Sequence, residues 1–277
     1  MTAWTLTGFG DEIDPDPGVQ LAVLSALGAR HIEVRSAWRT NVVELSDEQL
    51  DALAAAIDGR DMAVSAIASP VGKVDVTTED GGELVRLRAA VAAAHRLGSR
   101  YIRIFSFYRP AELTAAEIRD AVLTRMRAFA DLAESADVVL VHENEKDIYG
   151  DVPERVADIV ESVGSPALRV AWDNANFVQV GVRPYDDGYA LLRPHLEYLQ
   201  VKDAVMATGT VVPAGHGDGQ LVRTLTALRD DGYTGFASLE PHLTSQHELG
   251  GFSGPAEFGR AARAFTDLTT SIGVRLQ

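Results

Sequence analysis

Short apolar runs alternate with longer amphipathic stretches along the whole chain. The runs "WTLTGF", "HIEVR", "MAVSAIA", "YIRIF", "VVLVH", "LRVAW", "LEYLQVK" and "GFASLE" are rich in β-branched and aromatic residues and predict strands. Between them lie Ala- and Leu-rich stretches whose apolar residues return at helical spacing. Their ends carry stop and start chemistry. Ser46 precedes "DEQLDALAAAIDGR" as an N-cap with acidic residues in the first turn. Gly98 closes "GGELVRLRAAVAAAHRLGS" as a C-cap. Thr114 and Glu117 stand at capping-box spacing, and Pro153 and Gly164 bracket the next helix. "GQLVRTLTALRDDGY" and "GPAEFGRAARAFTDL" supply the last two, while "PYDDGYALLRPH" gives only a short, Pro-bounded helix.

About eight strand–helix units result, which predicts a single-domain α/β fold over residues 1–277, a (β/α)8 barrel. A doubly wound open sheet is the alternative, because periodicity does not show closure. No strand is followed by a Gly-x-Gly-x-x-Gly fingerprint, so a dinucleotide site is not expected.

Composition narrows the function classes. There are no cysteines, which excludes disulfides and thiolate metal sites. With 25 basic and 40 acidic residues the formal charge is −15, against a partner held through a phosphate backbone. No apolar stretch reaches the roughly 18–20 residues of a membrane span. "MTAWTLTGFGDEID" lacks the pattern of a secretory signal, so a cytoplasmic location is the expectation.

In a barrel of this kind, chemistry sits where strands end. Strand five ends at Glu143, strand six at Asp173, strand seven reaches Gln200 and strand eight reaches Glu240. Each alone reads as a helix cap or surface group. Four oxygen-bearing side chains at one level point instead to a shared cause. Three converging carboxylates repel one another, and a divalent cation removes that repulsion.

The segments "GFGDEI", "SPVGK", "YIRIFSFY", "HENEKDIYGD", "WDNANF", "VKDA", "PAGHGDG" and "GYTGFASLEPH" resemble, in order and over nearly the whole chain, the xylose isomerase-like TIM-barrel proteins. That superfamily includes ketose 3-epimerases of the tagatose type, inositol-pathway isomerases and dehydratases, and endonuclease IV. The resemblance implies a metal-dependent sugar isomerase or epimerase with the ligands Glu143, Asp173, Gln200 and Glu240. Gln200 stands where the family usually has His, so the site becomes all-oxygen, favouring Mn²⁺ or Mg²⁺. Asn176 also departs from a frequent His and can hydrogen-bond a hydroxyl but carry no proton near neutrality. The large histidine set of the nucleases is missing from a chain with 7 His.

In the related 3-epimerases the metal chelates neighbouring carbonyl and hydroxyl oxygens, and a cis-enediolate forms between two flanking glutamates. Carried over, Glu143 and Glu240 are the catalytic acid and base. Lys73, Arg103, Asn176, Lys202, His216 and His242 are candidates for gripping substrate. Lys202 is expected to pair with Asp203, Arg35 with Glu12 or the site, and His142 to pack away from the site. Trp38 and Phe107 are candidate apolar walls, with core packing as the alternative. The implied partner is a small carbohydrate, and a homo-oligomer is compatible with the family. Two other functions share these residues: a lyase or hydrolase on a 3-keto-glycoside or a keto-inositol dehydratase, and a non-catalytic sugar-binding barrel with a degenerate metal site.

Overall fold

A computed structural model describes residues 2–79, 81–244, 246–247 and 250–277. The strands that shape it are β1 (Thr2–Gly8), β2 (His31–Val34), β3 (Ala63–Ala68), β4 (Tyr101–Ile104) and β5 (Val139–Glu143). They continue with β6 (Leu168–Asp173), β7 (Leu196–Val201), β8 (Phe236–Leu239) and β9 (Val274–Leu276). All pair in parallel, in the order β9-β1-β8-β7-β6-β5-β4-β3-β2. A parallel bridge from Phe9 to Glu33 brings the end of β1 to β2. The expected barrel of eight strands is therefore present. The ninth strand, which the hydrophobic pattern does not announce, pairs with β1 only along Thr2–Trp4.

The helices follow their local chemistry. α1 (Pro17–Ala26) starts at Asp16, whose carboxylate accepts from the N–H groups of Gly18 and Val19. α2 (Asp47–Asp58) and α4 (Ala115–Ser135) each open with a complete capping box, built on Ser46/Gln49 and Thr114/Glu117. α3 (Gly81–Leu97) ends before Gly98, which is left-handed at φ 70°. α5 (Pro153–Val163) ends at Gly164 with φ 68°, a conformation glycine adopts without the Cβ penalty. α6 (Asn174–Gln179) is a short helix opening directly off β6. The weak sixth unit is a π turn over Pro184–Tyr189 running into Ala190–Leu192. α7 (Leu221–Asp230) and α8 (Gly254–Ser271) complete the ring.

The helices bury their apolar stripes against the outside of the sheet, where Trp4, Trp172, Phe129 and Phe265 are fully covered. Inside the barrel the chemistry changes with height. Tyr101, Phe236, Val139, Val141, Ala171 and Tyr198 form an apolar floor. Above it the Tyr198 hydroxyl donates to Glu33 at 2.8 Å and contacts Ser65 at 3.0 Å, and Ser65 meets Thr7 at 2.8 Å. The next layer is charged, and it forms the mouth. Polarity inside the barrel thus rises toward the C-terminal ends of the strands.

Candidate active site

Glu143 is the last residue of β5, Asp173 the last of β6, Gln200 the penultimate residue of β7, and Glu240 directly follows β8. Their equal depth follows from the parallel register, which sets Asp173 opposite Gln200 and Gln200 opposite Ser238. One ligand oxygen from each of Glu143, Asp173 and Glu240 lies within 4.8 Å of the other two, and all three residues are buried. Above them the mouth opens into a cavity of about 740 Å³, with a deeper recess of about 70 Å³ against Glu143, Glu240 and Arg103.

Cations stand around the carboxylates. Arg103 Nη1 donates to Glu143 Oε2 at 2.8 Å and Arg103 Nη2 to the Ser69 carbonyl at 3.2 Å. Its guanidinium stacks over Phe105, 4.5 Å from the ring centre. Arg35 bonds Asp11 at 2.8 Å, the Gly251 carbonyl at 2.9 Å and Glu240 at 3.4 Å. Of its two expected placements, pairing with Glu12 or facing the site, Arg35 takes the second through Glu240, and its carboxylate partner outside the ligand set is Asp11. Lys202 Nζ lies 2.9 Å from Glu240 Oε2 and 3.0 Å from Asp173 Oδ2.

The expected Lys202–Asp203 pair does not form, because adjacent strand residues face opposite ways. Asp203 instead accepts the backbone N–H groups of Gly215, Gly217 and Gly219 at 2.9–3.0 Å. A Cβ on Gly217 or Gly219 would fall 2.5–2.6 Å from Asp203 Oδ1, and Gly215 has φ 84°, which accounts for the glycines of "PAGHGDG". His216 rides on that loop, exposed and apart from the residues lining the mouth, so its proposed substrate contact finds no support.

The other expected residues fall as follows. Asn176 donates from Nδ2 to Glu143 Oε1 at 2.9 Å and to the Asn144 carbonyl at 2.8 Å. Its own N–H is capped by Asp173 Oδ1 at 2.9 Å, so Asp173 is helix cap and site residue at once. Lys73 lines the cavity, bonded to Glu145 at 3.2 Å and set over Phe105 at 4.2 Å. His142 is fully buried away from the mouth against Gly150. Phe107 packs on Phe129 in the core, and Trp38 lies off the cavity, so neither walls a sugar; Tyr108 does line it.

His242 enters the mouth from a left-handed backbone, φ 45°, with Nε2 3.1 Å from Glu12 and 3.3 Å from Glu240. Glu12 is fixed by the His242 N–H at 2.9 Å and the Ser253 hydroxyl at 2.8 Å. A Cβ on Gly251 would fall 1.7 Å from the His242 ring. Glu12, Asp11, Asn144 and Glu145 are site residues that the strand-end pattern misses. The first two lie in "GFGDEI" after β1, a segment legible only as part of the resemblance. Asn144 ties the end of β5 to β6 by exchanging two bonds, at 2.9 and 3.0 Å, with the Asp173 backbone.

Burial raises Glu143, and Glu240 adds to this, against the pull of Arg103 and Lys202. Burial also lifts Asp173 to about 7 despite Lys202. Glu240 is opposed by the same burial, yet Lys202 and His242 hold it well below the usual carboxylate range. Burial would neutralise Lys202, but Asp173 and Glu240 keep it charged. His242 likewise resists burial through Glu12 and Glu240 and is carried to about 9.

The donor set fits a divalent ion. The Gln200 amide faces the Glu143 carboxylate at 3.1–3.2 Å. With its oxygen inward, that spacing matches neighbouring corners of an oxygen coordination shell with metal–oxygen distances near ~2.1 Å. With its nitrogen inward, the same amide donates to both Glu143 oxygens. The site accommodates either state.

The profile of the xylose isomerase-like TIM barrels matches residues 21–267, and the chain belongs to that family. A 2-epi-5-epi-valiolone 7-phosphate 2-epimerase from Actinoplanes sp. (strain ATCC 31044 / CBS 674.73 / SE50/110) is 35% identical over 136 residues, 49% of this chain and 48% of that one. The chain thus matches about half the length of this relative. A D-tagatose 3-epimerase-like protein superposes with TM-score 0.79 at 14% identity, covering 97% of this chain and 98% of that one. An IOLI protein with a bound zinc atom gives TM-score 0.79 at 17% identity, covering 97% and 99%. These last two likenesses are of fold.

Proposed function

We propose that the chain is an epimerase or isomerase of a carbohydrate or cyclitol ketone, moving a proton at the carbon beside the carbonyl. The observation that carries this reading is the convergence of Glu143 and Glu240, from strands three places apart, at the floor of a polar cavity. One carboxylate removes the proton as the substrate passes to its enediolate, and the other returns one from the far side, inverting the centre. Arg35, Arg103 and Lys202 set a positive field on the floor, where negative charge develops on the substrate oxygen. Asn176 holds Glu143 in orientation, and His242 offers a donor at the rim. Glu143, Asp173, Gln200 and Glu240 would hold a divalent ion, Mn²⁺ or Mg²⁺ by their hard oxygens; when bound it polarises the substrate carbonyl as a Lewis acid. The relative named for a valiolone phosphate supports a cyclitol ketone among the substrates.

The reading is tested with Glu143→Gln and Glu240→Gln on a panel of ketoses and keto-cyclitols. Each variant is expected to lose about 10²–10⁴-fold in kcat with unchanged circular dichroism. Full turnover in both variants would remove the glutamates from the chemistry. A product lighter by one water would move the assignment to a dehydratase.

A further inference from the structure

We propose that Lys202 competes with a divalent cation for the carboxylates at the barrel mouth, so that the chain takes up a metal only when the ammonium leaves Asp173 and Glu240. This rests on the ligand set named above and not on the reaction. Five of the six carboxylate oxygens accept a hydrogen bond from the protein, and the sixth, Asp173 Oδ2, accepts none but faces the Lys202 ammonium. Glu143 Oε1 accepts from Asn176 Nδ2 at 2.9 Å and Oε2 from Arg103 at 2.8 Å. Asp173 Oδ1 caps the Asn176 N–H at 2.9 Å, which leaves Oδ2 as its oxygen for an ion; Lys202 Nζ stands 3.0 Å from it. Glu240 Oε1 faces Arg35 at 3.4 Å, and Oε2 accepts from the same Nζ at 2.9 Å. Lys202 bridges Asp173 and Glu240 at 3.0 and 2.9 Å, whereas Arg103 lies 2.8 Å from Glu143 and only 4.0 Å from Glu240.

Its burial makes the bridge consequential. The Lys202 side chain is 3% exposed, and those of Asp173 and Glu240 are 0% and 3% exposed, so water screens little of what happens between them. An ion bonded at about 2.1 Å to the same two oxygens would stand close to the ammonium, with charges of the same sign. The ammonium and the ion are therefore alternative occupants of one place.

The experiment is calorimetric titration of chelator-stripped protein with MnCl₂, wild type against Lys202→Met, alongside thermal unfolding of both. Removing the ammonium while keeping the length of the side chain is expected to tighten Mn²⁺ binding at least about tenfold. Equal or weaker binding by a folded Lys202→Met protein overturns the proposal, because Lys202 would then assist or ignore the ion. Should the variant not fold, the wild-type protein crystallised with Mn²⁺ decides. An ion held by Asp173 and Glu240 with Nζ swung away supports competition. No ion at saturating Mn²⁺, or an ion on both carboxylates with Nζ still within 3 Å of both, overturns it. Ion binding is read without turnover, so failure here leaves the epimerase reading standing, and failure of that reading leaves this one.

Discussion

Glu240 and its neighbours show how few positions decide the site. Gly251 is one of them: it lines the cavity, and a methyl group there would occupy the space of the His242 imidazole. Gly251→Ala is expected to reproduce the KM increase of His242→Ala, and the double variant to be no worse than either alone, since both remove one contact. Additive losses would show that Gly251 acts by another route. At this scale the sequence speaks unevenly. Glu143, Asp173, Gln200 and Glu240 are legible because each sits at the end of an apolar run, where register forces common depth. The bonding of Lys202 is not, because its partners Asp173 and Glu240 come from other strands and local pattern carries no information about them. Proximity in sequence suggested Asp203, and strand parity defeats it. His216 failed for a related reason: a histidine in a glycine-rich loop looks like a ligand contact, whereas the loop is built to wrap Asp203.

Helix ends were the most readable elements, since capping is local chemistry. Ser46, Thr114, Gly98 and Gly164 all occupy the termini expected of them. Gly164 provides a test at this scale. Its φ of 68° costs an alanine about 1–2 kcal/mol, so Gly164→Ala should lower stability to urea by that amount and leave kcat unchanged. A loss of activity without a loss of stability would contradict the separation of scaffold from mouth. The elements that escaped the pattern are short or depend on distant partners. The last strand is three residues long and exists because the start of β1 offers it a free edge. α6 needs Asp173 as its cap, a residue whose other duty is in the site.

On the scale of the whole molecule, the barrel interior grades from apolar floor to charged mouth, and Glu33 lies at the transition. Burial raises its carboxyl to about 7, against the pull of Arg103. A carboxyl whose folded pKa lies above its unfolded value stabilises the fold at low pH, and that contribution fades as pH rises toward and through about 7. Glu33→Gln has no such dependence. Measured by urea unfolding, the stability of Glu33→Gln relative to wild type should rise by about 3 kcal/mol between pH 4.5 and pH 8. A difference independent of pH would mean that Glu33 stays ionised throughout. Closure of the barrel itself was not legible in periodicity, because alternating strands and helices serve open and closed sheets alike; the Phe9–Glu33 bridge is a contact between chain segments that no local rule connects.

The central claim is that Glu143 and Glu240 exchange a proton on a carbon next to a substrate carbonyl. Incubation in D₂O with a keto-cyclitol or ketose, followed by proton NMR, reads this directly. The account predicts deuterium at that one carbon with wild-type protein, and with Glu240→Gln no conversion between epimers and exchange only into the epimer whose proton faces Glu143. No exchange into any ketone of the panel by folded, Mn²⁺-supplied wild-type protein, or wild-type epimerisation by the variant, would contradict it.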